Sequence, residues 1–333
     1  MRDVVLDNFK FYLISLVVVG HAIEPLIDKF EWLKSVYVFI YLFHMPMFAY
    51  VSGVLTASKI DSSLFRKIVG NLVIPYVCLE IVYSLFDYYA FSRTALVISP
   101  LIPYWILWYL FSLALWRMLL PIVAQFKFPI ALSIVLGLAC GLNSYDYNLS
   151  FSRTFVFFPF FLIGHYCHSS IMDKIQAYRM SRAVGGGFIA LILLLLIVMP
   201  DANNINVRWL YGSRSYSGLG VEWWLGMGYR LLIYIAAFSV GMALLTLAQK
   251  NRHFFTMYGE ESLYIYVLHG FVMKGLLAAG LYGYIRNEWE ASVLMLGSLA
   301  LLPILSSRYA RKLADNIMNP CGLKRVVLAD TVR

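Results

Sequence analysis

The sequence predicts an all-α polytopic membrane helix bundle with about ten transmembrane helices and both termini cytoplasmic. Three observations lead there. Of the 333 residues, 61% are hydrophobic and only 14% are charged. An average soluble domain carries about 25% charge, so the polar coat that a soluble fold of this size requires is missing. The apolar residues gather into runs near the roughly 20 residues that a membrane-crossing helix needs. The bases are divided unequally between the two sets of segments that connect those runs.

The runs fall at about 5–24, 34–56, 68–89, 104–124, 128–142, 154–171, 184–200, 224–248, 261–281 and 290–306. The fifth is the weakest, being short and holding Gly137 and Gly141. Helix breakers separate the runs: Pro25, Pro100 with Pro103, Asn143-Ser144 and Pro200-Asp201. With the N-terminus inside, the inside segments carry 17 of the 27 bases and the outside segments carry 7. Lys10, Arg230 and Lys274 remain within spans. This excess fits the positive-inside rule and supports the count, because a missed span would mix the two sets. The net charge of +9 is thereby read as membrane sidedness, and no nucleic-acid partner is expected.

The first run starts almost at Met1 and no small-x-small cleavage site follows it, so it is read as a retained signal anchor. Cys78, Cys140 and Cys167 lie in apolar runs and Cys321 in the tail, a pattern that is neither a disulfide framework nor a metal cluster. No metal is expected. Residues 1–306 form the transmembrane unit. Residues 307–333 form a basic, partly amphipathic tail, expected to lie as a helix on the cytoplasmic surface. The longest outside loop, about 201–223, is rich in aromatics, glycine and serine. It suits a sugar or a lipid headgroup, and equally an ordinary interfacial belt.

Ionisable groups inside spans are costly and mark candidate sites. Lys10 and His21 are eleven residues apart, close to three helical turns, so they share a face about 16 Å apart. Glu24 lies one turn beyond His21 and would orient it. A neutral histidine beside a carboxylate can act as a general base toward a hydroxyl or as a transient acyl carrier, and such a pair can also simply pack two helices. His44 precedes Pro46, which frees a carbonyl and can kink the second span. His44 and His269 are also readable as packing histidines. Arg230 is the candidate partner of Glu80 in the third span. Arg66-Lys67, with Lys59 upstream, is either a topological cluster or a site for the phosphates of a nucleotide-like donor. Trp105 and Trp108 make either a sugar-stacking platform or an interfacial belt.

Several stretches together resemble the third acyltransferase family of polytopic membrane O-acyltransferases, in its fucose 4-O-acetylase-like branch. They are Arg2-Asp3, Leu6 to Phe11, Val19-Gly20-His21, Phe43-His44-Met45-Pro46 with Ser52-Gly53, and Ile74-Pro75-Tyr76. In order after these come Tyr104-Trp105 with Leu107-Trp108, Ser152-Arg153-Thr154 with Phe158 to Phe161, Leu210-Tyr211-Gly212-Ser213, and Tyr264 to Gly270. The resemblance implies ten helices with cytoplasmic ends. It also implies transfer of an acetyl group from acetyl-CoA to a hydroxyl of an envelope glycan or its lipid-linked precursor, in the bacterial cytoplasmic membrane. The family's first-helix motif, arginine, ten residues, then histidine, meets His21, with Lys10 in the arginine's place. Lysine keeps the charge but not the bidentate fork. The family's basic pair before the third helix meets Arg66 and Lys67. Many relatives add an extracytoplasmic hydrolase-like domain, which this chain is not expected to carry.

The reading that follows is a membrane O-acetyltransferase. His21 and Glu24 are its catalytic residues, and Lys10, Arg66 and Lys67 meet acetyl-CoA. His44, Ser52, Trp105, Trp108, Arg153 and His269 line the acceptor path. Its partners are the glycan or lipid-linked sugar and the membrane lipids. The competing reading is a transporter or flippase for a lipid-linked sugar, since intramembrane His, Glu and Arg also suit proton and substrate pathways. No inverted repeat supports that alternative. A non-catalytic envelope partner is a third reading.

Overall fold

The structure is a computed structural model that describes residues 3–57, 63–143, 150–178, 180–198 and 205–328. Arg2, Lys59, Ser144, the breaker Pro200-Asp201 and the first residues of the 201–223 loop lie outside the described residues. Every predicted apolar run is a helix. In chain order they are α1 Val4–Leu26, α2 Glu31–Val54, α3 Ser63–Ala90, α4 Trp105–Val123, α5 Pro129–Leu142, α6 Phe151–Ala177, α7 Ser181–Val198, α8 Trp223–Leu247, α9 Ser262–Ala278 and α10 Glu288–Leu305. Eight are long and apolar enough to cross a membrane, while α5 and α9 are shorter. No strand occurs among the described residues. The chain is a multi-pass helical membrane protein.

Local chemistry sets the helix starts. Asp3 caps α1 by accepting from the backbone N–H groups of Val5 and Leu6 at 2.9 and 3.3 Å, which satisfies two donors that the first turn leaves open. Asn287 and Glu290 form a reciprocal capping box on α10. Within α3, residues Val69–Val73 form a π-helical turn, a feature frequent at functional sites. Pro46 lies within α2, which nevertheless runs as one helix from Glu31 to Val54.

The densest packing joins α2 to α6. A Cβ on Gly53 would stand 1.9 Å from the carbonyl oxygen of Phe161, and one on Gly164 would stand 2.0 Å from that of Tyr50. The two backbones meet there because neither residue has a side chain, as is typical of membrane helix pairs. By contrast α7 rests on α8 and α2, joined to α2 by the Ser35 hydroxyl, which donates to the carbonyl of Leu196 at 2.8 Å. Gly185 is the one buried residue of α7.

The two ends of the bundle collect the two sets of segments that the charge count separated. At the proximal end, where α1 begins, the Asn8 amide donates to the carbonyls of Gln249 and Asn251, both at 2.9 Å. The tail reaches the same end. Its helix α11, Arg308–Met318, packs on α3 and α9 through an Arg311–Glu261 ion pair at 2.7 Å and the buried Ala314 and Met318. At the distal end, Ile23, Leu26 and Phe30 cluster with Tyr282 and Ala291, and Lys29 donates to the carbonyl of Ile285 at 2.6 Å.

The candidate Glu80–Arg230 pair does not form. Glu80 accepts from the backbone N–H of Tyr104 at 2.9 Å and so fixes the entry to α4. The Arg230 guanidinium is buried beside α5, where it donates to the carbonyls of Gly137 and Arg214 at 3.3 and 3.1 Å. It also lies over the Tyr216 ring at 4.6 Å. Its charge is stabilised by carbonyls and an aromatic face, and it ties the outer loop to the bundle.

Candidate functional site

Helix periodicity brings three histidines toward one place in the distal half of the bundle. The Nδ1 of His21 lies 2.9 Å from the carbonyl of Val17, and that of His44 lies 2.7 Å from the carbonyl of Ile40. The Nδ1 of His269 lies 3.1 and 2.7 Å from the carbonyls of Ile265 and Tyr266. A carbonyl can only accept, so each Nδ1 carries the proton, and in the neutral ring each Nε2 keeps a bare lone pair. The three rings share one tautomer because each sits one turn after a carbonyl of its own helix. The His269 Nε2 is buried with no hydrogen-bond partner among the described residues.

His21 is the ring that opens into space. A cavity of about 260 Å³ is lined by His21, Glu24, Tyr41, His44, Trp105, Trp108, Arg153, Tyr211 and Tyr266, closed by apolar side chains. Trp105 stands edge-on to His21 at 4.9 Å and 88°, and the His269 ring lies 5.1 Å from it. Trp105 takes a φ of 36°, in the left-handed region that a bulky side chain adopts only at a cost of about 1–3 kcal/mol. Such strain collects at functional sites.

The far wall is aromatic and cationic. Arg153 lies over Trp108 at 5.0 Å and donates from Nε to the carbonyl of Tyr211 at 3.3 Å. Tyr41 stacks on Tyr37 at 3.8 Å, and the Tyr37 and Tyr211 hydroxyls are 2.9 Å apart. Tyr266 donates to the carbonyl of Ile106. These contacts leave flat rings and a guanidinium facing one small chamber, a surface suited to a sugar ring.

Of the residues singled out from sequence, His21, Glu24, His44, Trp105, Trp108 and Arg153 share this cavity, and His269 packs behind His21. Glu24 is on the wall but does not hold the histidine, since Val17 does. Its carboxylate makes no hydrogen bond or ion pair among the described residues and lies within electrostatic reach of Lys274 and Arg153. Ser52 is elsewhere. It sits two turns past His44, and its hydroxyl is 2.7 Å from that of Tyr109. Because Tyr109 donates its single proton to the carbonyl of Phe48, Ser52 must donate to Tyr109.

Lys10 is paired with Asp7 at 2.7 Å near the proximal end. Arg66 and Lys67 lie on the first turn of α3, Ser63–Ile68, which packs against α4. Sequence reasoning missed Arg117, counting it as a base of the segment after the fourth span. It lies inside α4, and its Nε is buried with no hydrogen-bond partner among the described residues. It also missed Tyr41, Tyr211 and Tyr266 as site residues, although Tyr211 and Tyr266 stand within stretches that carried the resemblance.

Residues 3–307 match a protein-family model described as an acyltransferase domain. A nodulation protein NolL of Sinorhizobium fredii is 40% identical over 82 residues, which is 22% of either chain. A second NolL, from Mesorhizobium japonicum, is 40% identical over 74 residues, 21% of this chain and 20% of that protein. The aligned stretch thus spans about a fifth of the curated relatives' length. No solved structure matches.

Proposed function

We propose, from the premise that this chain belongs to the acyltransferase-3 family of membrane O-acyltransferases, that it moves an acetyl group from acetyl-CoA to a hydroxyl of an envelope glycan or its lipid-linked precursor. The observation that carries this is the bare Nε2 of His21 at the wall of a chamber lined by Trp105, Trp108, Tyr41, Tyr211 and Arg153. Family membership supports group transfer over transport. The bacterial relatives support the cytoplasmic membrane of a bacterium as its location.

In this reading the acceptor sugar enters from the distal end and stacks on the tryptophans. The donor enters from the proximal end. Its phosphates meet Arg66 and Lys67, with Lys10 and Arg117 as the cations deeper in the bundle. The Nε2 of His21 takes the proton of the acceptor hydroxyl as the oxygen attacks the thioester carbonyl carbon. The new C–O bond forms, the C–S bond breaks, and the departing thiolate recovers the proton from the imidazolium. The Val17 carbonyl keeps Nδ1 protonated throughout. Glu24, on the same wall but not bonded to His21, lies toward Lys274 and Arg153 and lines the acceptor's path.

The test is transfer of labelled acetyl from acetyl-CoA to glycan acceptors by the purified protein, paired with mass spectrometry of envelope glycans from cells with and without it. An acetyl-sized difference that vanishes with His21→Ala is expected. Unchanged transfer by folded His21→Ala would refute the mechanism.

A further inference from the structure

A second cavity, of about 270 Å³, lies against the first and shares His21, Glu24 and Trp105 with it. Its remaining walls include Lys274, Tyr282, Met273 and Leu277. The two chambers are of nearly equal volume, and His21, Glu24 and Trp105 stand at their junction. Each has room for one pyranose ring with its hydroxyls.

Three features mark the second chamber as built for a ligand. The Tyr282 side chain is only 9% exposed, yet its hydroxyl has no hydrogen-bond partner among the described residues. Buried hydroxyls are rarely left so without reason. The Glu24 carboxylate on the shared wall is likewise unbonded. Lys274 is braced at the wall: its ammonium lies 3.8 Å from Asp87 and over the rings of Phe91, Tyr104 and Trp105 at 5.5, 5.3 and 5.2 Å. Asp87 is itself held by Tyr104 at 2.6 Å and Arg93 at 3.0 Å. An ammonium donor, a carboxylate acceptor and the side chain of Tyr282, whose hydroxyl is buried and unpartnered among the described residues, thus line one space with an indole wall and an apolar floor. That combination recognises a polyhydroxylated ring.

We propose that this chamber is a second sugar subsite. The acceptor spans both cavities, with the residue to be acetylated beside Arg153 and Trp108 and its neighbouring sugar between Lys274 and Tyr282. This rests on the acetyltransferase reading above. Trp105 divides the two sugars, so the reacting hydroxyl lies at the junction, at His21. The donor is not the occupant, because Tyr282 belongs to the distal end and Arg66 and Lys67 to the proximal end.

The test compares a panel of methyl glycosides with the matching disaccharides as acceptors for the full chain in nanodiscs. The wild type is expected to prefer a disaccharide in kcat/KM. Tyr282→Phe and Lys274→Met are each expected to lower the disaccharide-to-monosaccharide preference about tenfold, the scale of one lost hydrogen bond. Tyr282→Phe removes a hydroxyl that bonds to nothing in the folded protein, so it keeps the test open if Lys274→Met fails to fold. Equal loss on both acceptors, or no loss on either, would overturn the subsite while leaving the acetyltransferase reading in place. A raised KM for acetyl-CoA alone would overturn it by giving the chamber to the donor arm. Absence of transfer to every acceptor by the wild type would overturn the underlying reading and this one with it.

Discussion

The imidazoles of His21 and His269 lie 5.1 Å apart on different helices, each with its Nδ1 proton committed to a carbonyl of its own helix. One Nε2 opens into a chamber and the other is buried. The same local geometry therefore presents one Nε2 to a cavity and holds a second behind it.

His21→Ala is expected to lower turnover by about 10²–10⁴-fold, the usual worth of a positioned general base. Because His21 lines an open cavity, added imidazole should restore part of the rate. The same rescue assay on His269→Ala should show none, since that ring is buried. Rescue of both variants, or of neither, would argue against His21 as the base.

Arg153 holds its position through Trp108 and the carbonyl of Tyr211. Arg153→Ala should raise the acceptor KM about tenfold, corresponding to about 1.4 kcal/mol, and leave the donor KM unchanged. Arg153→Lys should recover little, because an ammonium keeps neither the planar stacking nor the fork. Steady-state kinetics with each substrate varied in turn decides this.

Gly53→Ala places a methyl group 1.9 Å from the carbonyl of Phe161. Neither backbone can yield without separating α2 from α6. The cost should reach at least the upper part of the about 1–3 kcal/mol typical of overpacking, read as a lowered melting temperature in detergent. Gly187→Ala on α7, where nothing lies within 4 Å of the added carbon, is the control and should be neutral.

Arg230→Met leaves the carbonyls of Gly137 and Arg214 without their donor and removes the cation over Tyr216. Limited proteolysis should then cut the loop before α8 faster, with a stability loss of about 1–3 kcal/mol. Arg230→Lys should fall between the two. Cleavage at the wild-type rate in Arg230→Met would show that Tyr216, through its own bonds to Gly141 and Leu138, holds the loop alone.

The helices were legible because a bilayer imposes length and apolarity on every crossing, and charge parity then fixed the order in which segments alternate. The site was half legible. His21 and Glu24 are ionisable groups in an apolar run, which the lipid environment makes conspicuous, while Arg153 stands outside the runs, in a stretch that carried the resemblance. Tyr41, Tyr211 and Tyr266 were not conspicuous, because a tyrosine suits core, interface and binding pocket equally well. Arg117 was hidden by its place at the edge of an apolar run, where a base looks topological. Glu80 and Arg230 do not pair, because complementary charge in a sequence carries no information about distance. Each group instead found backbone, Glu80 at an N–H and Arg230 at two carbonyls.

The peripheral place of α7, where Gly185 alone is fully buried, has a mechanical consequence. Eighteen residues rise about 27 Å, slightly less than a typical hydrocarbon core. With one buried glycine and two neighbours, this helix can answer hydrophobic mismatch by changing its tilt. The α2–α6 seam, locked backbone to backbone, cannot. Changes in membrane thickness should therefore be absorbed at the rim, leaving the chamber at His21, between α1, α2, α4, α6 and α9, indifferent to the lipid species around it.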